Sequence, residues 1–306
     1  MPSLKSRILL TLLRNRHLFK GRLTRERWDD ESQIPGIRRE VEKSTRMFKM
    51  PKGVTTEPVS IGALEATWIR PPQPAVDEGV ILYFHGGGYV IGSMKTHIPL
   101  TAKVVAESRV PALLFGYRQA PEHPFPAAVE DALAAYRFLL DAGTAPSRIV
   151  FMGDSAGAGL CLALMMAIKD ENLPLPAAAV PLSPWTDVTL SGESHRTRAR
   201  VCMAPPGSAE LFRRCYIGDR DPRNPWISPL FGDLTGLPPL LIFVGDHETM
   251  RDDAVRFAEK ARAAGVDTTL RVGDGMVHCY PMLAPLFTEA TQALAEIGAF
   301  IRRRLS

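Results

Sequence analysis

The sequence predicts an α/β protein: one central, mostly parallel sheet with helices on both faces. Three observations predict it. From residue 80 onward, short runs of consecutive apolar residues alternate with longer segments of helical period. The runs are apolar throughout and do not alternate with polar residues, which is the pattern of strands covered on both faces. Two of them, Val80 to Phe84 and Ile149 to Met152, lead straight into the glycine-rich turns His85-Gly86-Gly87-Gly88 and Gly153-Asp154-Ser155-Ala156-Gly157.

Residues 1 to about 50 are charge-rich, with apolar residues at helical spacing (Leu9, Leu12, Leu13, then Ile34, Ile37, Val41) and no strand signal. Lys5 and Arg7 ahead of Ile8 to Leu13 imitate a signal peptide. The run is short, Arg14 and Arg16 follow it, and no small-residue cleavage site appears, so an amphipathic helix is expected. Strands are expected over 57–61, 64–69 and 80–84, the second and third parted by Pro71-Pro72-Gln73-Pro74. Then follow a helix over 96–107, a strand over 112–117, a helix over 127–142 closed by Gly143, a strand over 148–152, a helix over 156–169 and a strand over 177–182. Strands over 240–244 and 268–272 and helices over 253–264 and 289–304 complete the alternation. Arg302-Arg303-Arg304 is placed to complement the dipole of the last helix. Residues 187–219 break the rhythm: they have no strand and are rich in Arg, Met and aromatic residues. They are expected to form a helical cap insertion over the sheet's C-terminal edge, with residues 1–50 as N-terminal cap helices and 51–186 plus 220–306 as the catalytic domain. No internal repeat or low-complexity tract is present.

The 306 residues are 45% hydrophobic and 23% charged, enough for a large core. Net charge is only +4, from 37 basic and 33 acidic residues, and no Lys/Arg stripe is interleaved with aromatics. Nucleic acid is therefore not an expected partner. No phosphate-cradling glycine pattern occurs, no cofactor is expected, and no stretch is long enough for stable membrane insertion. Cys161, Cys202, Cys215 and Cys279 lack C-x-x-C spacing and read as reduced thiols of a cytoplasmic protein.

A strand running through Gly-x-Ser-x-Gly into a helix makes a sharp elbow that lifts one hydroxyl, that of Ser155, above the sheet's end. Serine needs a general base. His278 is the histidine that follows the late strand, in the glycine-rich turn Gly273-Asp274-Gly275-Met276-Val277-His278. His247 is its rival, falling before the last strand. His17, His97 and His195 lack such a setting, His123 lies in a proline-rich loop, and His85 precedes the glycines. An orienting carboxylate belongs just past residues 240–245, where Asp246 and Glu248 both qualify. Asp252 is expected to cap the next helix. The same cluster of Asp246, His247, Glu248, Asp252 and Asp253 is read as loop and capping residues and not as a metal site.

The chain resembles the hormone-sensitive-lipase-like bacterial esterases of the α/β-hydrolase superfamily over about residues 55–305. The resemblance rests on three ordered motifs: His85-Gly86-Gly87-Gly88-Tyr89, Gly153-Asp154-Ser155-Ala156-Gly157, and Tyr117-Arg118-Gln119-Ala120-Pro121-Glu122-His123-Pro124-Phe125-Pro126-Ala127. It implies an eight-stranded sheet with a helical cap and a serine carboxylesterase acting on small-molecule esters of short-to-medium acyl chain, often as a homodimer. The family's D-P-L-R-D-[DE] block reads here Glu248-Thr249-Met250-Arg251-Asp252-Asp253, which puts Glu248 at the catalytic acid, a residue some members use. It also implies an oxyanion hole from the N–H groups of Gly87, Gly88 and Ala156, with His85, Gly86 and Asp154 supporting the motifs. Arg118 and Glu122 are expected to form a structural ion pair. Trp185, Trp226, Phe212 and Tyr216 are candidates for either pocket or core, and Cys279 for a packed thiol. The competing classes are an amide hydrolase on the same residues and a non-enzymatic small-molecule receptor. Related receptors lose the histidine that His278 supplies.

Overall fold

The computed structural model describes residues 3–15, 27–45, 48–77 and 79–306. Its strands are β1 (Thr55–Ile61), β2 (Leu64–Arg70), β3 (Val80–Phe84), β4 (Ala112–Phe115), β5 (Ile149–Asp154), β6 (Ala178–Leu182), β7 (Leu240–Gly245) and β8 (Thr268–Gly273). They form one sheet in the order β1-β2-β4-β3-β5-β6-β7-β8. β1 and β2 make an antiparallel hairpin, β2 runs antiparallel to β4, and the rest are parallel. The registers Phe84↔Gly153, Asp154↔Leu182 and Gly245↔Gly273 bring the C-terminal ends of β3, β5, β6, β7 and β8 to one edge. In an open α/β sheet that edge is where ligands bind.

The helices are α1 (Leu4–Arg14), α2 (Ile34–Thr45), α3 (Met94–Ser108), α4 (Ala127–Asp141), α5 (Ala156–Asp170), α6 (Ser194–Thr197), α7 (Ser208–Ile217), α8 (Arg251–Ala263) and α9 (Thr288–Leu305). The continuous apolar strands serve two cores at once. Leu82, Phe84, Phe151, Ile242 and Val244 face α4, α5 and α8. The intervening Ile81, Tyr83, Val150, Met152, Leu241 and Phe243 face α1, α3 and α9. Successive strand side chains point to opposite faces, so a strand covered on both must be apolar at every position. α5 is buried around its whole circumference from Ala156 to Ile168, as an all-apolar helix must be. This rigid layer carries the elbow. Each fully buried Leu or Phe contributes about 1.5–3 kcal/mol relative to exposure.

Two expectations fail for identifiable reasons, and a third gains a second role. Arg302 lies in the last turn of α9, where its charge complements that helix, and it also serves another. Its Nη1 donates to the carbonyls of Glu107 (2.7 Å) and Ser108 (3.3 Å), capping the C-terminal end of α3, and Arg304 pairs with Asp267. Asp252 lies inside the first turn of α8 and accepts the Ser194 N–H at 2.9 Å, so it serves α6 instead of capping α8. Arg118 and Glu122 do not pair with each other. Arg118 binds Asp131 at 2.7 Å and Glu130 at 2.9 Å, whereas Glu122 takes both Nη atoms of Arg38, from α2, at 2.7 and 2.8 Å. Arg16, His17 and the rest of residues 16–26, part of the expected N-terminal cap over 1–50, lie outside the described residues.

Candidate active site

Ser155 stands between β5 and α5 with φ +56° and ψ −122°, a conformation a serine adopts only where its surroundings impose it. The surroundings are visible. Its N–H donates to Leu182 O at 2.8 Å, and its carbonyl accepts from Gly159 at 3.0 Å and Trp185 at 3.2 Å. The end of β6 therefore pins the elbow. The turn brings α5 so close to β3 that a Cβ on Gly157 would lie 2.2 Å from Phe84 O. No side chain fits there.

Asp154 ties this elbow to the neighbouring glycine loop. Its carboxylate accepts the Tyr83 hydroxyl at 2.9 Å and the Gly86 N–H at 3.2 Å, and faces His97 Nε2 at 3.4 Å. Burial opposes protonation of His97, but the charge and hydrogen bond of Asp154 and the Ser93 carbonyl together outweigh it, and the pKa is raised. Burial likewise opposes ionisation of Asp154, and His97 reverses that, holding the carboxyl below its usual range. His85 is the contrasting case. It is fully enclosed, with Nδ1 2.9 Å from Gly86 O and its ring stacked on Tyr117 at 4.1 Å. Burial first, then the neighbouring His97, drop its pKa to about 3, so it is a neutral brace.

The loop that follows presents two unused donors. Among the described residues the N–H groups of Gly87 and Gly88 meet no hydrogen-bond acceptor. Ala156 is the first residue of α5, where a helix N–H has no intrahelical partner. Tyr89 then anchors the loop by stacking on Tyr216 of α7 at 3.7 Å.

Across the cavity, the loops after β7 and β8 converge. His278 Nδ1 lies 2.5 Å from Glu248 Oε2. Glu248 is fully buried, and its other oxygen accepts the Gly245 N–H at 2.6 Å and the Ser183 hydroxyl at 2.8 Å. Asp246, the rival acid, instead sits 2.6 Å from Nδ1 of His247, the rival base. Burial penalises the His278 imidazolium, but Cys279 and Glu248 act the other way, and the pKa stands well above the ordinary 6.5. Burial also raises the Cys279 thiol, leaving it uncharged near neutral pH. The Glu248 carboxylate is therefore the charge that favours the imidazolium.

Ser155, His278, Gly87 and Gly88 all border one cavity of about 480 Å³. Trp28, Val41 and Phe48 from the N-terminal region and Met203 and Phe212 from residues 187–219 line its walls. Of the aromatic candidates, Trp185 and Phe212 reach this cavity. Tyr216 lies behind it in the stack with Tyr89, and Trp226 donates to Asp170 at 2.8 Å, away from it. Cys279 and Cys202 border it as well. The remaining carboxylates after β7 disperse: Asp252 to Ser194, and Asp253 to His195, Thr186 and Asp187. Among the described residues no three His, Cys, Asp or Glu side chains converge as a metal site would require.

Sequence reasoning missed Ser183 and His97. Ser183 follows β6 in Leu182-Ser183-Pro184-Trp185, has φ +48° and is buried. Besides binding Glu248 it accepts the Cys279 N–H at 2.9 Å, so one hydroxyl fixes both loops. A polar residue at the end of an apolar strand was the available signal.

Comparison with known proteins gives one answer. The α/β-hydrolase-fold family model matches residues 81–282. An acetyl-hydrolase of Streptomyces hygroscopicus is 43% identical over 245 residues, 80% of this chain and 81% of its own length. The crystal structure of EstE5 soaked with p-nitrophenyl butyrate superposes with a TM-score of 0.91 at 38% identity, covering 99% of each chain. That of an esterase from the bacterial hormone-sensitive lipase family gives 0.90 at 39%, covering 100% of each.

Proposed function

The chain belongs to the bacterial hormone-sensitive-lipase family of α/β-hydrolases and is an esterase; from that premise we propose that it cleaves carboxylic esters of short-to-medium acyl chain through Ser155, His278 and Glu248. The observation that carries this reading is the Glu248–His278 bond, set over the same cavity as the Ser155 elbow and the free N–H groups of Gly87 and Gly88.

In the proposed reaction His278, neutral and with Nδ1–H held by Glu248, takes the Ser155 proton as its oxygen attacks the ester carbonyl. Negative charge on the carbonyl oxygen is met by the N–H groups of Gly87, Gly88 and Ala156. Each such donor is worth about 10²–10³ in rate. The tetrahedral adduct collapses, the alcohol leaves with the proton from His278, and Ser155 is left acylated. Water repeats the sequence, giving its proton to His278 and releasing the acid. Glu248 stays ionised and stabilises the imidazolium in each half-reaction. Residues 187–219 and α2 act as the cap over this chemistry, with the apolar walls formed by Trp28, Val41, Phe48, Met203 and Phe212 receiving the acyl chain.

A p-nitrophenyl ester series from acetate to palmitate, with the matching anilides, tests the proposal. The expected result is hydrolysis that peaks at short-to-medium chains, slower or absent anilide cleavage, and loss of turnover in Ser155→Ala. Tight ligand binding without turnover of any ester, or turnover surviving in Ser155→Ala, would overturn it.

A further inference from the structure

The outward face of α1 carries a second apolar surface that the proposed reaction does not use. Leu4, Ile8 and Leu12 are 71%, 51% and 41% exposed. Spaced four apart on a helix, they form one continuous stripe. Lys5 borders the stripe on one side of the helical wheel and Arg7 on the other; both are exposed, and neither pairs with a described acidic group. The helix Leu4–Arg14 contains no acidic residue at all. The inner face is anchored independently: Leu10 is buried in the core beside α3 and α9, Leu9 and Leu13 lie against it, and Ser3 N donates to Glu289 Oε1 at 2.8 Å. A helix that is held on one side and apolar with basic flanks on the other is the pattern of an element lying in a lipid–water interface.

The surroundings extend this face toward the cavity. The bond from Ser3 to Glu289 sets the start of α1 beside the loop carrying Leu286, which is 55% exposed. Leu286 N donates to Leu283 O at 2.8 Å, and Leu283 lines the cavity above Ser155. Met50, 39% exposed, follows Phe48, another wall of the same cavity. Single exposed apolar residues are ordinary on any surface. An aligned set on one helix face, flanked by cations, is not.

We propose that α1 docks the enzyme reversibly on anionic lipid surfaces, with Leu4, Ile8 and Leu12 entering the interface and Lys5 and Arg7 meeting its phosphates. A second copy of the chain fits the same face poorly, because α1 contains no acidic residue that could pair with Lys5 or Arg7 of the other copy. No helix among the described residues is long and apolar enough to cross a membrane, so the mode is lying on it. Docking stands on α1 alone. That it delivers membrane-dissolved esters to Ser155 rests on the esterase reading.

Vesicle flotation of the full chain tests the docking without using activity. Wild type is expected to float with vesicles of equal parts phosphatidylcholine and phosphatidylglycerol, to bind pure phosphatidylcholine weakly, and to lose binding as salt rises. Lys5→Glu/Arg7→Glu should weaken anionic binding roughly fivefold or more per position. Leu4→Ser/Ile8→Ser/Leu12→Ser should weaken it more than about tenfold. Both variants should keep wild-type turnover of soluble p-nitrophenyl butyrate, which shows that they fold. No flotation of wild type, or flotation unchanged in the triple variant, overturns the proposal. So does sedimentation velocity showing a wild-type dimer that the triple variant converts to monomer without any vesicle binding. If vesicles bind as expected while no ester is cleaved by wild type, the docking holds and the esterase reading fails.

Discussion

Ser183 donates its hydroxyl hydrogen to Glu248 Oε1 at 2.8 Å while accepting the N–H of Cys279, the residue after His278, at 2.9 Å. The end of β6 thus sets the distance between the acid and the base, although neither loop belongs to it. A hydrogen bond to a charged group is worth about 1.5–3 kcal/mol. Ser183→Ala is expected to lower kcat about 10–100-fold on p-nitrophenyl butyrate with KM little changed, since Ser183 borders the acid and not the substrate. Wild-type kcat in Ser183→Ala would remove this positioning role.

The two acids after β7 separate cleanly by amide substitution. Glu248→Gln keeps the shape but presents an N–H₂ or a neutral oxygen to His278, and turnover should fall by about 10⁴. Asp246→Asn disturbs a contact with His247 at 2.6 Å and should change turnover only a few-fold. Steady-state kinetics of the two variants side by side decides between them. The reverse ranking would transfer the acid to Asp246.

The pH profile follows from the sign of the His278 shift. The base form is the neutral imidazole, whose fraction falls as pH drops through the pKa. Because Cys279 and Glu248 together outweigh burial and hold that pKa well above 6.5, the acid limb of kcat/KM should have its midpoint above pH 6.5. Glu248→Gln removes the negative charge, so the residual activity should show a limb moved to lower pH. The same shift has a consequence for stability. A folded pKa raised above the unfolded value contributes stability that is full below about pH 6.5 and is lost as pH rises through the folded pKa. The pH range of fastest turnover is therefore one in which this contribution is absent. A limb at or below pH 6 in wild type would contradict the assignment.

Arg38 joins α2 to the body of the enzyme through four contacts. Nε donates to Val90 O at 2.8 Å, Nη2 to Ala120 O at 2.9 Å, and both Nη atoms to Glu122. Val90 follows the glycine loop, so Arg38 ties the N-terminal region to the loop that carries the proposed oxyanion donors. The Arg38 hydrogen bond, against a smaller opposing effect of burial, lowers the Glu122 pKa to about 2. That ion-pair contribution is present above about pH 4.5 and disappears as pH falls toward 2. Glu122 is 55% exposed, so solvent screening leaves the ion pair worth little, and the two backbone carbonyls matter more. Arg38→Ala leaves them without a donor at about 1–3 kcal/mol each if they stay dry. It should therefore lower Tm and speed proteolysis near α2. Arg38→Lys should not restore either, because an ammonium cannot reproduce the planar fork. Full rescue by lysine would show that charge alone holds α2.

The central strands β3 to β7 were legible because each had to be apolar for two cores, and the elbow because its glycines answer to sterics within a few residues. The Ser155 and His278 settings were readable for the same local reason. What was hidden depends on partners distant in sequence. Ser183 meets Glu248 65 residues on, and His97 meets Asp154 57 residues on. Arg302 reaches Glu107 across 195 positions. Arg118 and Glu122 lie four apart in one motif, which suggests a pair. The fold gives each a better geometry elsewhere, Asp131 in the second turn of α4 for one and the fork of Arg38 for the other. Charge patterns name the residue types that will pair but not the partners, because topology chooses those.

Phe212 of α7 is expected to limit the acyl chain. A Cβ built on Gly88 would lie 2.1 Å from Phe212 Cδ2, so the ring lies directly over the glycine loop. Trp28 backs it, with ring centroids 6.1 Å apart. Phe212→Ala should open the cavity at that point and raise the ratio of kcat/KM for octanoate over butyrate by about tenfold, the energy of roughly one methylene in a fitted pocket. Gly88→Ala meets two obstacles, the ring and a backbone φ of +63°, and should lose nearly all activity. Combining the two changes separates them. Removal of the ring leaves only the backbone strain, so Gly88→Ala/Phe212→Ala should recover part of the activity that Gly88→Ala loses, a coupling expected of residues in contact. An unchanged acyl preference in Phe212→Ala, together with a strictly additive double variant, would show that the ring does not bound the substrate.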